Sequence, residues 1–406
     1  MIGNRGFLMN RIERIARDER VQAALATLRK EVDQALELAI AIQQIPAPTF
    51  AEMQRATFIQ ERFAAVGLED VHQDDRHNVY GRYPAPVIAY ATPGCPPPIV
   101  VSAHSDTVFP ASTNLALRRD GRFIYGPGIG DNATGVAGLI TLAQTLFDYD
   151  LRLPADVWFV ANVREEGLGN LQGMKAVVTR FGREAAYIVV EGGLYGQISH
   201  QAIGVRRFRI AVNAPGGHSW GSFGNKSAVH VLGHLIAAID RLDVPEKPKT
   251  TYNVGVIEGG TSVNTIAQSA SLLLDLRSEE PAALVALVQA VENIVAEANV
   301  HHQLNGATGA RATMSLIGSR PAGQIPRHTP LVTWAEAALR YVGCQQVTYI
   351  ASSTDANVPL SQGLAAVCIG LAHSDNAHRL DEYLDPTHLP RGLAQLLLLT
   401  LAAADF

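Results

Sequence analysis

"ADVWFVANVREEGLG", residues 155–169, joins an apolar run to two adjacent glutamates, and its reading decides the architecture. Val157 to Ala161 suit a short buried strand. Glu165 and Glu166 then stand just past its carboxyl end as two like charges side by side. A solvated loop pair is one reading of them. The alternative needs other strands that end on groups of similar chemistry.

Working outward, "PPIVVSA" (97–103), "GVAGLITLAQTLFDY" (135–149) and "AAYIVV" (185–190) alternate short apolar runs with a helical stretch. "TPLVTWAEAALRYVG" (329–343) and "AAVCIGLA" (365–372) resume that alternation. It predicts a largely parallel sheet covered by helices. Upstream, Arg11 to Gly67 reads as helices broken at "QQIPAPTF" (43–50), because Pro46 and Pro48 disfavour helix before them.

The middle of the chain has a different order. "GVRRFRIAVNA" alternates at strand period, "SAVHVLGHLIAAIDRL" is helical, "TTYNVGVIEG" and "SASLLLDLRS" are strands, "PAALVALVQAVENIVAEANV" is helical and "ARATMSLIG" is again a strand. That βαββαβ order is ferredoxin-like. The reading is an α/β protein whose larger domain, residues 1–200 and 319–406, has a mostly parallel central sheet and is interrupted by a ferredoxin-like domain at 201–318.

Composition limits the function classes. With 406 residues and 47% apolar content the chain can bury more than one core. A net charge of −5 without a basic run argues against a nucleic-acid or anionic-membrane partner. "MIGNRGFLMNRIERIARDER" is too broken by polar residues for a signal peptide, and no uninterrupted apolar run reaches the length of a membrane span. Cys95, Cys344 and Cys368 form no paired spacing, which fits a reducing compartment. A soluble cytoplasmic protein is expected.

Four strand endings now carry metal-capable groups: "IVVSAHSD" on His104 and Asp106, "VWFVANVREE" on Glu165 and Glu166, "YIVVEGG" on Glu191, and "VCIGLAHSDNAH" near His373 and His378. Open parallel sheets bind ligands at this rim. Positions two apart on an extended chain share a face, so Asp106 is placed to orient His104. "YGPGIGDNATGVAGL" adds Asp131 between a Gly-rich loop and a helix. A simple helix cap and a dinucleotide loop on Gly126, Gly128 and Gly130 are its other readings, the latter implying a nucleotide-binding oxidoreductase.

In order, "SAHSDTV", "GPGIGDNATG", "REEGLGNLQG", "VEGG", "PGGHSW", "GGTSVNTI", "LDLR" and "AHRLDEYLD" resemble the co-catalytic dizinc peptidases and deacylases. That family includes peptidase T, glutamate carboxypeptidase, acetylornithine deacetylase and succinyl-diaminopimelate desuccinylase. The resemblance implies a zinc-exopeptidase-like catalytic domain interrupted by a lid that usually dimerises, hence a homodimer. It implies two zinc ions per chain, with cobalt or manganese able to substitute, bridged by Asp131 and completed by Glu166 and His378 on one side and His104 and Glu191 on the other. Glu165 is implied as general base on a metal-bridging water, with Asp106 catalytic beside it. His373 stays an alternative to His378; Glu382 favours His378, because it then falls where the "AHRLDEYLD" pattern has its acid.

In the lid, the resemblance implies that His218 reaches the partner's site and polarises the scissile carbonyl, and that Asn264 and Arg277 anchor a substrate carboxylate. "HVLGH", with His230 and His234 one turn apart, lacks the glutamate of a zincin helix and reads as an exposed face. His301 and His302 read as a polar loop. The implied activity is hydrolysis of amide bonds in short peptides, most often as an exopeptidase, or in N-acyl amino acids; a non-catalytic binding relative is the other class.

Overall fold

The computed structural model describes residues 11–30, 32–86, 96–303 and 309–406; Cys95 lies outside them. The chain divides into two compact units, Met1–Ala202 with Gln324–Phe406, and Ile203–Gly323.

In the first unit the sheet runs in the order Glu69–Gln73, Val79–Tyr83, Val157–Asn162, Ile99–His104, Ala186–Glu191, Ala366–Gly370, Gln197–Ala202, and Thr348–Ser352 pairs with the last of these. The four central strands, from Val157–Asn162 to Ala366–Gly370, are mutually parallel. Their residues are almost wholly buried, as strands covered on both faces must be. The opening stretch is thus a central strand that ends at Asn162. Helices Glu19–Lys30, Val32–Gln43 and Met53–Val66 precede the sheet, with the expected break before Met53. Because the four strands are parallel, their carboxyl ends share one rim, and every strand-end residue singled out above lies there or just beyond.

The second unit is a four-stranded antiparallel sheet in the order Thr250–Gly259, Ser269–Ser278, Gly204–Asn213, Arg311–Arg320. Helices Ala228–Ile239 and Pro281–Gln303 pack on it through Val231, Leu232, Leu235, Leu284, Leu287, Val291 and Val295. The connectivity is ferredoxin-like. One expectation changes here. His301 and His302 belong to the long helix rather than to a loop. Pro281–His301 is long and apolar enough to cross a membrane by length and composition alone, although Glu292 and Glu297 interrupt its apolar run.

The final helix, Leu389–Ala403, lies directly on the end of a central strand. A methyl group on Gly392 would sit 2.0 Å from the Leu371 carbonyl oxygen, and the Leu371 amide donates to the Glu191 carbonyl at 3.1 Å. Gly392→Ala should lower stability by about 1–3 kcal/mol in thermal or denaturant unfolding. Gly233→Ala, on a helix where an added methyl meets nothing within 4 Å, should not. Equal stability of the two variants would contradict this packing.

Candidate metal centre

His104 closes the strand Ile99–His104. Its Nε2 lies 3.0 Å from Asp131 Oδ1 and 3.7 Å from Glu191 Oε2. Its Nδ1 faces Asp106, nearer to the carbonyl oxygen (3.2 Å) than to the carboxylate (3.6 Å). On the other side of Asp131, His378 Nε2 stands 3.1 Å from Asp131 Oδ2 and 3.0 Å from Glu166 Oε1. One carboxylate is therefore shared by two imidazoles, each with a second carboxylate of its own. Ligand-capable atoms of His104, Asp131 and Glu166 lie within 4.8 Å of one another, a grouping able to hold a metal ion.

Backbone geometry aims these groups. The Glu165 and Glu166 amides both donate to the Asp106 carboxylate at 3.0 Å, and Thr49 Oγ1 donates to it at 2.9 Å. Arg164 and Gly167 adopt left-handed φ of 58° and 51°, so the chain turns at both ends of the glutamate pair. Gly169 has a different reason: an added methyl would lie 2.6 Å from the Arg164 carbonyl oxygen. The Asp131 loop is held by Glu382, whose carboxylate accepts the amides of Gly128 (2.7 Å), Gly130 (2.8 Å) and Asp131 (2.9 Å). Asn132 ties the loop to the neighbouring strand, donating to the Val190 carbonyl (2.9 Å) and accepting the Gly192 amide (2.7 Å).

His373 is placed differently. Its ring packs against Tyr195 and His388, with centroids 5.6 and 5.0 Å away. The next residue, Ser374, abuts Gly130 and Gly193. Along a strand, neighbours face opposite ways, so Ser374 turns toward the loop and His373 away from it.

The electrostatics follow from crowding. Burial first, then Asp131, pushes the Glu166 carboxyl up to about 8, against the pull of His378. Glu191 is raised mainly by burial. Hydrogen bonds to Asp131 and Glu166 lift His378 to about 10. Burial opposes a charged His104, yet its contacts with Asp106, Asp131 and Glu191 outweigh this and raise it well above the usual range.

In the second unit, His218 is exposed, and its Nδ1 accepts the amides of Trp220 (3.2 Å) and Gly221 (3.3 Å). Its strand pairs with Thr265, beside the exposed Asn264. Arg277 Nε is engaged with Asp275 at 2.6 Å. His230 and His234 lie exposed on a helix.

Residues 100–402 match the family described as "Peptidase family M20/M25/M40". The chain belongs to this family. One relative is a "Probable carboxypeptidase" of Arthroderma otae, 27% identical over 240 residues, 52% of this chain and 51% of the relative. Another, from Mycobacterium tuberculosis, is named for the succinyl-diaminopimelate desuccinylase DapE and is 28% identical over 53% of this chain and 62% of its own length. These matches span only about half to three-fifths of the relatives' lengths. Among solved structures, a tripeptidase of Staphylococcus aureus shares the fold with a TM-score of 0.76 at 20% identity, over 92% of this chain and 99% of that one.

Sequence reasoning missed Thr49, Asn132 and Arg55. Arg55 is wholly buried, with its guanidinium on the carbonyls of Ile45 (2.6 Å) and Ser105 (2.7 Å). It sits in an ordinary-looking helix, and nothing in the local pattern marks it as buried; Asn132, adjacent to Asp131, was the more readable of the three.

A metal can bind only as protons leave. Glu166 and His378 are both raised by their surroundings, so the pair binds protons more readily than free groups would, and raising the pH should tighten metal binding while lowering it should weaken binding. Calorimetric zinc titrations in buffers of different ionisation heat should show net proton release. No dependence on buffer would contradict the crowded site.

Proposed function

We propose that this chain is a metal-dependent hydrolase of amide bonds in short peptides, acting as an exopeptidase. The observation that carries this reading is Asp131 shared between His104 and His378, with Glu165 on the residue next to Glu166. Family membership and the relative named as a carboxypeptidase support it. A second reading, removal of an acyl group from N-acyl amino acids, is favoured by the relative named for a desuccinylase.

The donor set fits two divalent ions. Two imidazoles and three carboxylates are the nitrogen and oxygen ligands that zinc accepts, and cobalt and manganese suit them too. The buried carboxyl groups of Glu166 and Glu191, raised as they are, are what a nearby cation would relieve. In this proposal Glu166 and His378 would hold one ion and His104 and Glu191 the other, with Asp131 available to both. When bound, the ions supply Lewis acidity that polarises a carbonyl and acidifies water.

The chain's own residues do the rest. Glu165 takes a proton from the attacking water and returns it to the leaving amine. Asp106 fixes the backbone that aims Glu165. His218 accepts two amides on Nδ1, which makes Nε2 its protonated nitrogen, a donor suited to a carbonyl oxygen. Asn264 and the terminal nitrogens of Arg277 hold a substrate carboxylate. The chain works as a homodimer through its second unit, a reading supported by the edge strand Thr250–Gly259 with Val256 and Ile257 exposed.

Metal analysis with steady-state kinetics on di- and tripeptides, beside acetyl and succinyl amino acids, tests the assignment. Chelation should abolish turnover, and zinc, cobalt or manganese should restore it. Glu165→Ala should keep its metals but lose on the order of a thousandfold in kcat, whereas Glu166→Ala should also lose metal. Equal metal loss in both variants would merge the two roles.

The oligomer is tested by mixing. His218→Ala and Glu165→Ala should each be nearly inactive alone. After verified subunit exchange the mixture should recover about a quarter of wild-type activity, since half of randomly paired dimers are mixed and each carries one intact site. No recovery would mean that His218 acts within its own chain or not at all.

A further inference from the structure

Asp355 is wholly buried, in the segment between strand Thr348–Ser352 and helix Asn357–Ser361. Its Oδ2 accepts a hydrogen bond from Asn162 Nδ2 at 2.6 Å. Asn162 ends the strand that leads to Glu165. It lies opposite His104 in the parallel register, and its carbonyl accepts the Ser105 amide at 2.7 Å. Among the described residues, Asp355 Oδ1 and Asn162 Oδ1 are both buried without a hydrogen-bond partner.

Two orphaned oxygens on the two members of one bonded pair form a specific pattern. Each unsatisfied buried group carries an uncompensated desolvation penalty. A carboxylate cannot relieve the pair, because it only accepts. A carboxylic acid can: its C=O takes the amide N–H while its O–H donates to the amide oxygen, and one proton satisfies both atoms.

We infer that Asp355 and Asn162 form a closed carboxylic acid–amide pair that positions the Glu165 segment. The positioning role rests on the proposed task of Glu165; the pairing does not. Burial and the neighbouring charges of Glu165 and Glu191 push the Asp355 carboxyl well above its usual range, against His104 and the Asn162 bond. A neutral pair also has an electrostatic use. It locks the strand end without adding another anion to a rim that already holds Glu165, Glu166, Glu191 and Asp131. The following residue is fixed as well, since the Val163 amide donates to Asn78 Oδ1 at 3.0 Å. Glu165 is therefore approached from a strand end with little freedom to shift.

Two variants separate this from a simple packing role. Asp355→Asn sets amide against amide, with a new N–H in place of the acid O–H, so the ring survives. Asp355→Leu removes it at similar volume. Infrared difference spectra of the metal-loaded protein, wild type minus Asp355→Asn, should show a protonated carboxyl band at neutral pH that shifts in heavy water; a carboxylate signature would overturn the pairing. In kinetics, Asp355→Asn should retain kcat to within about twofold. Asp355→Leu should fall about tenfold or more in kcat, a loss of about 1.4 kcal/mol, with KM and metal content little changed. An Asp355→Asn variant as slow as Asp355→Leu would overturn the proposal. If Asp355→Leu does not fold, the infrared result and Asp355→Asn still decide. Full activity of Glu165→Ala would instead remove the proposed base and leave the infrared outcome standing.

Discussion

The Asp106 carboxylate holds the Glu165 and Glu166 amides and the Thr49 hydroxyl at once, and most of the rim depends on that. These groups come from an early loop and from the far side of a neighbouring strand. A single anion with no solvent exposure therefore sets the backbone from which both glutamates project. Strand alternation alone would send adjacent side chains to opposite faces. Two amides on one carboxylate, with left-handed turns on either side, hold the backbone of both glutamates at the same rim. Arg55 supports this from behind. Its guanidinium bonds only to carbonyls in the contacts above, and a buried cation is costly without an anion in reach. Asp106 is the acid whose charge acts on it, so it offsets part of the cost of burying Arg55.

The Asp131 loop follows a similar logic at greater sequence distance. Glu382 collects three amides from Gly128 to Asp131, so a segment near the end of the chain shapes a loop near its first third. Gly130 has no room for a side chain, since a methyl there would meet Ser374 at 2.4 Å. The loop is thus pressed between Ser374 and the Glu382 carboxylate, and Asn132 stitches its other side to the strand Ala186–Glu191. Burial and Asp131 push Glu382 up to about 7 while the three amides pull it down, which is the mark of an acid held in place to accept.

Much of this was legible in the sequence because parallel strands convert order into place. Once four apolar runs are read as parallel neighbours, His104, Glu165, Glu166 and Glu191 must reach one rim. What the sequence could not settle is side-chain direction beyond a strand end. His373 and His378 both follow the end of Ala366–Gly370, and what separates them is the ring packing of His373 on Tyr195 and His388 against the contacts of His378 with Asp131 and Glu166. Buried polar supports were hidden for another reason. Arg55 and Asp355 have exposed-type side chains in segments of ordinary composition, and their burial arises from elements far away in the chain. The loop reading of His301 and His302 failed because a long helix tolerates polar residues in its last turn.

The crowding of acids links occupancy to folding. A group whose folded pKa lies above its unfolded value binds more protons when folded, so its contribution is complete below the unfolded pKa and is lost as pH rises through the folded one. Glu166, raised to about 8, and His378, raised to about 10, both have that sign in the metal-free chain. Protons thus stand in for the missing positive charge, and the metal-free fold weakens as alkali removes them. A bound dication supplies the charge instead and needs the same groups deprotonated, so its effect grows over the pH range in which the protons are lost. Burying Glu166 beside Asp131 is costly without positive charge nearby, and a cation at this rim would offset that cost.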